Sequence, residues 1–306
     1  MAELAKHHDI FIGRFSAMAS PCELLIETVD EDLARRCLAI AESEARRIEH
    51  KFSRYLDNNI VCQINNAGAS VITVDDETAA LLDYADQCFQ LSDGLFDITS
   101  GVLRRAWRFG GTGTIPTQSQ LDELLPQVGW NRVNWNAPEI QVPEGMELDL
   151  GGIGKEYAVD RVTALLRQHA VGTSIVVNFG GDLAITSKPL NRPGWRIGIA
   201  DPCPDHSEPA QSATEPATTE IIELANGAMT TSGDAHRYIM HKSVRYGHIL
   251  DPRTGWPAAN APTSVTVLAD TCLEAGILST LAILKGGGAE NFLAENNARY
   301  WVMRNN

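Results

Sequence analysis

Long apolar runs are missing from this chain of 306 residues, and no stretch approaches the ~20 residues that a bilayer span requires. Basic side chains are scarce too. Lys and Arg number 25 against 39 Asp and Glu, a formal net charge of −14. So acidic a chain argues against a nucleic-acid binder or a protein of anionic membranes, which need a basic footprint. A small anionic ligand stays open, because a local cluster of donors overrides net charge. The six cysteines form no CxxC pair. That spacing argues against zinc and for reduced thiols in a cytoplasmic protein. The opening MAELAKHHD has no apolar signal core and no lipid-attachment cysteine, so a cytoplasmic location is expected. Internal repeats and a convincing interdomain linker are also lacking, and one domain over 1–306 is expected.

What remains is ordinary globular composition, 44% hydrophobic and 21% charged. IFIGRF followed by CELLIETV predicts a first hairpin between Ile10 and Val29. Leu33, Cys37, Ile40, Ile48 and Phe52 recur at helical spacing across Glu31–Arg54. Further helices are predicted over Asp76–Leu91, Gly154–Gln168 and Cys272–Leu284. Strand candidates are WNRVNW, EIQV, SIVVNF, WRIGIA, EIIEL, SVTVLA and the terminal Arg299–Val302, read as an edge strand. Helices segregated from many short strands give an α+β class rather than a βαβ succession. Asp201–Thr219, with four prolines and almost no large apolar residue, reads as a solvated loop. Trp107, Trp130 and Trp135 read as packing residues.

Three segments carry possible chemistry. DLGGIGKEYAVD (Asp149–Asp160) is not a phosphate-binding P-loop, because Asp149 stands at the first glycine position and Glu156 follows the lysine. It is either a glycine-rich helix start whose N–H groups and Lys155 meet an anion, or a helix cap with a surface lysine. VNFGGDLAI (Val177–Ile185) lets a ligand approach the backbone closely, with Asp182 as an acceptor; a tight structural turn is the alternative. TTSGDAHRY and YGHILDPRTGWPA gather hydroxyls, Asp234, His236, Arg237, Arg245, His248 and Asp251 on short strands and turns. A histidine in such a setting is structural or catalytic.

The ordered series AMAS (Ala17–Ser20), LFDITSG (Leu95–Gly101), GGIGKEYAVD, NFGGD, TSGD and HILDPRTG resembles the ApbE family of flavin transferases. The resemblance runs from about residue 15 to about 285. It implies an α+β fold of two packed halves with an FAD-binding cleft between them. It also implies an activity: cleavage of FAD and attachment of FMN, as a phosphoester, to a threonine or serine of a target flavoprotein, with AMP released. By position, Met18 and Tyr55 would line the flavin, and Leu95, Phe96 and Asp97 would touch the cofactor. Gly151, Lys155 and Tyr157 would bracket it, and Ile249 would add a contact. Within that implied chemistry His248 is the candidate base, with Asp251 orienting the imidazole and Lys155 holding the pyrophosphate.

Two positions depart from the family pattern. The family's last long helix carries A-D-x-x-x-T, whose Asp and Thr bind Mg²⁺ with a backbone carbonyl. Here Thr280 is kept, but the aspartate position is Gly276. Thr280 and the Gly154 carbonyl remain as metal ligands, and Mg²⁺ usually wants a carboxylate. Asp270 is a possible substitute; Glu274 falls on the opposite side of a regular helix. The second departure is Glu156, where glycine usually follows the lysine; it adds negative charge near a site meant for phosphates, unless it faces solvent or is itself a cation ligand. Three outcomes follow: Mg²⁺ held with more water, Mg²⁺ held by another acid, or FAD bound without transfer. An FAD pyrophosphatase and a non-catalytic flavin-binding protein are the alternative functions.

Overall fold

The computed structural model describes residues 2–109, 113–202, 218–234, 237–242 and 244–304. The chain opens with three antiparallel strands, β1 (Glu3–His7), β2 (Ile10–Ala17) and β3 (Ser20–Glu27). Helix α1 (Glu31–Phe52) follows, its first turn closed by the Asp30 carboxylate accepting from the Leu33 N–H. Ala34, Cys37, Leu38, Ala41, Ala45 and Ile48 form its buried stripe, at the spacing an amphipathic helix needs.

Then come α2 (Ile60–Asn65), β4 (Val71–Thr73) and α3 (Asp76–Leu91). A 3₁₀ segment over Ile98–Arg105 leads to α4 (Gln118–Leu124). Strands β5 (Asn134–Asn136) and β6 (Glu139–Gln141) pair with each other, and β6 also pairs with β4. Only the second half of WNRVNW is strand, because Trp130–Arg132 forms a 3₁₀ turn whose first N–H is taken by Asp97.

Helix α5 (Gly154–His169) precedes β7 (Ile175–Phe179), β8 (Asp182–Ile185), β9 (Trp195–Ala200) and β10 (Thr218–Leu224). Most of the loop expected over Asp201–Thr219, residues 203–217, lies outside the described residues. Thr218 and Thr219 already belong to β10. The chain closes through β11 (Gly227–Gly233), β12 (Tyr238–His241), β13 (Val244–Gly247) and β14 (Ser264–Ala269). Last come α6 (Cys272–Leu284), α7 (Ala289–Glu295) and β15 (Arg299–Met303).

One antiparallel sheet organises these pieces, in the order β1-β2-β3-β7-β8-β11-β14-β15. Helices α1, α5 and α6 cover one face, and the β9–β10 ribbon packs against the other. This explains the consecutive apolar residues Ile175–Val177 of β7. Ile175, Val177 and Phe179 enter the core under the helices, while Val176 joins Trp195, Ile199 and Ile222 beneath the ribbon. A strand buried on both faces has no polar alternation to show. Strand β15 lies at the sheet edge, as the sequence predicts.

The three tryptophans pack as expected but not together. Trp107 stacks on Phe109 and meets Trp256 edge-on. Trp130 and Trp135 donate their indole N–H groups to Asp86 and Asp83 of α3. Among the described residues no helix is long and apolar enough to cross a membrane.

Candidate active site

The turn that begins α5 places Lys155 against the start of β8. Its Nζ lies 2.6 Å from Asp182 Oδ2. Asp182 follows Gly180 and Gly181, both at positive φ, where glycine is the unstrained residue. The Asp182 carboxylate also accepts from the Thr231 N–H of β11 at 3.3 Å. A Cβ on Gly180 would stand 2.9 Å from Ser20 Oγ, so the NFGGD turn and the AMAS hairpin turn meet only because this residue is glycine. Met18 and Ala19, at the tip of that hairpin, both hold φ of 55°. Left-handed backbone costs a non-glycine residue about 1–2 kcal/mol. The Glu49 carboxylate of α1 accepts from the Met18 N–H at 2.8 Å and holds the turn in place.

Glu156, next along α5, points at α6. A Cβ on Gly276 would fall 2.6 Å from Glu156 Cγ and 3.3 Å from its Oε1, so the Glu156 side chain fills the room that a side chain at 276 would need. Its Oε2 is sealed from solvent and has no hydrogen-bond partner. Asp160, one turn on, accepts from the Cys272 and Leu273 N–H groups at 2.8 and 2.9 Å and so pins the start of α6 to α5. Thr280 lies one turn beyond Gly276 and shares a 3.1 Å hydroxyl contact with Ser232 of β11. Ser232 also meets Ser279, which donates back to the Gly276 carbonyl. Asp270 and Glu274 are both exposed.

Two carboxylates here face one ammonium. Burial, reinforced by Asp182, holds the Glu156 carboxyl well above the usual carboxylate range. Burial raises Asp182 as well, against the pull of Lys155. For Lys155 burial opposes the charge, but Asp182 and Glu156 outweigh it and hold the ammonium above its ordinary value.

His248, after β13, places Nδ1 3.1 Å from the Arg237 carbonyl. A carbonyl only accepts, so Nδ1 donates and Nε2 keeps its lone pair. Burial, then the Arg237 charge, push this histidine down to about 4, with a smaller contribution from Lys155. The expected partner does not orient it. Asp251 is engaged by Arg253 through Nε and Nη2 at 2.9 and 2.7 Å, closing the DPRTG turn on itself. The Arg237 carbonyl takes the orienting place because it already lies against the imidazole. A cavity of about 560 Å³ opens beside His248, with Ile249, Asp234 and Thr263 in its walls.

The remaining candidates occupy varied positions. Tyr55 is 71% exposed. Burial of its hydroxyl is outweighed by the hydrogen bond and charge of Arg54 and by a hydrogen bond with Arg237, which lower the phenol and place Tyr55 on the His248 side. Arg54 in turn bridges to Asp149 at 2.6 Å, and Asp149 accepts from the Gly151 N–H. Leu95, Phe96 and Asp97 are all buried. The Asp97 carboxylate accepts from the Thr99 N–H, the Thr99 hydroxyl and the Trp130 N–H. It acts as scaffold in this conformation. Tyr157 lies away from Lys155: its hydroxyl donates to Glu77, inside a network with Arg47 and Lys51. Gly154 is buried with open space where a Cβ would be. His236 lies outside the described residues.

Sequence reading had no means of finding Glu49, Arg54 or the Arg237 carbonyl, since a carboxylate on a helix, an arginine in a turn and a backbone oxygen carry no motif. The Glu156–Gly276 contact did have a signal. Two departures from one family pattern, one gaining a side chain and one losing it, are what a reciprocal exchange looks like.

The ApbE family model matches residues 18–302. An FAD:protein FMN transferase of Klebsiella pneumoniae is 32% identical over 278 residues, covering 89% of this chain and 81% of that protein. Another of Vibrio cholerae is 30% identical over 258 residues, covering 82% and 73%. The crystal structure of the ApbE protein from Thermotoga maritima superposes with a TM-score of 0.82 at 29% identity, covering 96% of this chain and 94% of that one. With the match extending over nearly the whole sheet and its helices, the chain belongs to the ApbE family.

Proposed function

We infer that this protein is an FAD:protein FMN transferase, which cleaves FAD and passes FMN to a threonine or serine hydroxyl of a target flavoprotein, releasing AMP. One observation carries the reading. Lys155 of GGIGKEYAVD, Asp182 of NFGGD, Ser232 of TSGD and Thr280 of α6 converge, with the His248 imidazole close enough to feel the Lys155 charge. The named relatives are FAD:protein FMN transferases.

In this reading FAD lies in the cleft bounded by the Met18 turn, the start of α5 and the His248 segment. Lys155 and the glycine-rich turn hold the pyrophosphate, and the open space at Gly154 lets it approach the backbone. The acceptor hydroxyl gives its proton to Nε2 of neutral His248 while its oxygen bonds to the phosphorus on the FMN side. The bond from that phosphorus to the bridging oxygen breaks, and AMP leaves with that oxygen. Such transfers depend on positioning and on stabilising charge at oxygen. The donors suit a hard cation: the Thr280 hydroxyl, the Gly154 carbonyl and the orphaned Glu156 oxygen nearby. When bound, Mg²⁺ supplies neutralisation of charge on the pyrophosphate and on the departing AMP.

The test incubates purified protein with FAD, Mg²⁺ and an apo acceptor domain that carries threonine-linked FMN when mature. Intact-mass spectrometry should show acceptor carrying one FMN, with equimolar AMP, and Lys155→Met should abolish both products. Wild-type protein that binds FAD yet yields neither would refute the assignment.

A further inference from the structure

We propose that Glu156, reaching from α5 into the space left by Gly276, is the carboxylate that holds the divalent cation in this chain. The proposal rests on the transferase reading and deepens it. Three observations carry it.

The first is steric. An aspartate at 276 would hold its carboxyl carbon about 1.5 Å beyond Cβ. That Cβ would already lie 2.6 Å from Glu156 Cγ and 3.3 Å from its Cδ and Oε1. The two side chains compete for one volume, so the carboxylate of one stands close to where the other would put its own. The second is the orphaned oxygen. Glu156 Oε2 is sealed from water and unpartnered, and a buried acceptor left unpaired is costly. A cation is the partner such an oxygen lacks. The third is the neighbourhood. Position 276 and Thr280 share one helix face at i,i+4, and the Thr280 hydroxyl is presented beside Ser232.

Other acids do not fill the place. Asp270 and Glu274 are exposed, Asp160 is spent on the N–H groups of α6, and Asp182 is engaged by Lys155 and Thr231. Among the described residues no three His, Cys, Asp or Glu side chains gather as a ready-made metal cluster. Mg²⁺ commonly takes one or two carboxylates and completes its shell with water and substrate phosphate. The ligand has moved from one helix to its neighbour; the oxygen chemistry is kept.

The test is a Mn²⁺ titration of FAD-loaded protein, read by the EPR signal of free Mn²⁺. FAD affinity without metal and the thermal melt are measured alongside. Glu156→Gln, nearly the same shape, should weaken Mn²⁺ by ~10-fold or more, the scale on which even outer partners of a metal count. Its metal-free FAD affinity should hold. The reciprocal exchange Glu156→Gly with Gly276→Asp should recover Mn²⁺ binding. Equal Mn²⁺ affinity in wild type and Glu156→Gln would overturn the proposal. So would wild-type protein that holds FAD but takes up no Mn²⁺, and that result leaves the flavin assignment standing. Failure of wild type to bind FAD at all would remove the transferase reading and the proposal together.

Discussion

Gly276→Ala is the smallest perturbation that tests how α5 and α6 fit together. Two effects of similar size oppose each other. Alanine in a helix interior is favoured over glycine by about 1 kcal/mol. Against that, the new Cβ would lie 2.6 Å from Glu156 Cγ. Cγ is held by its own Cβ and cannot swing away like the end of a chain, so the side chain must retreat by roughly 1 Å to reach ordinary contact distance. Overpacking of this kind costs about 1–3 kcal/mol. The net expectation is destabilisation of up to about 2 kcal/mol, or a melting temperature lower by up to ~4 °C in a chain of this length. In a Glu156→Ala background Cγ is gone and only the helix preference remains, so the same change should stabilise by about 1 kcal/mol. A double-mutant cycle by calorimetry reads the difference directly. A coupling below ~0.5 kcal/mol would mean the two positions are independent, and the reciprocal fit would be refuted.

Two further outcomes follow from the same geometry. His248 is pushed down to about 4, so its Nε2 stays unprotonated across the neutral range. The acid limb of kcat/KM should fall near pH 4 and not near the ordinary ~6.5 of free histidine. The sign for stability matches: below ~6.5 the unfolded chain binds a proton that the fold refuses, so stability drops as pH falls from there towards 4. A limb at 6.5 would show that the imidazole is solvated or is not the base. Asp97→Asn should lower stability by about 1.5–3 kcal/mol, because one oxygen becomes a donor facing the Trp130 N–H or the Thr99 donors. An unchanged melt would show that those three contacts are dispensable.

Much of the fold was legible because its long elements are strongly patterned. The helical spacing of Cys37, Ile48 and Phe52 in α1 and the glycines closing β7 act locally, so a linear reading sees them. The elements it missed, β1, α2, β4, α4, β8 and α7, have 3–7 residues each, too short for a period to register. The site divided along the same line. Lys155 and His248 stand in motifs, and their surroundings suit the roles proposed for them. Asp251 went astray because its place beside His248 in sequence says nothing about Arg253, two residues on, which takes its carboxylate. Tyr157 is close to Lys155 along the chain yet turned away on the helix, and its hydroxyl answers to Glu77. Contacts between side chains on different elements are set by packing, which no single segment encodes.

The strand order has a consequence for how the protein is made. β3 pairs with β7, so that Cys22 lies opposite Phe179. During synthesis the opening hairpin therefore waits, one backbone edge unsatisfied, while roughly 150 more residues emerge, a delay of roughly 10–30 s at ordinary translation rates. An open strand edge is a template for the wrong partner. The Met18 turn belongs to this early hairpin, whereas Lys155, Asp182, Ser232 and Thr280 arrive only with later elements. Nascent chains stalled before α6 would carry α1 and α5 over a core still short of Cys272, Leu281 and Leu284, and, on the proposed reading, without Thr280, so that uptake of flavin would mark the last stage of maturation.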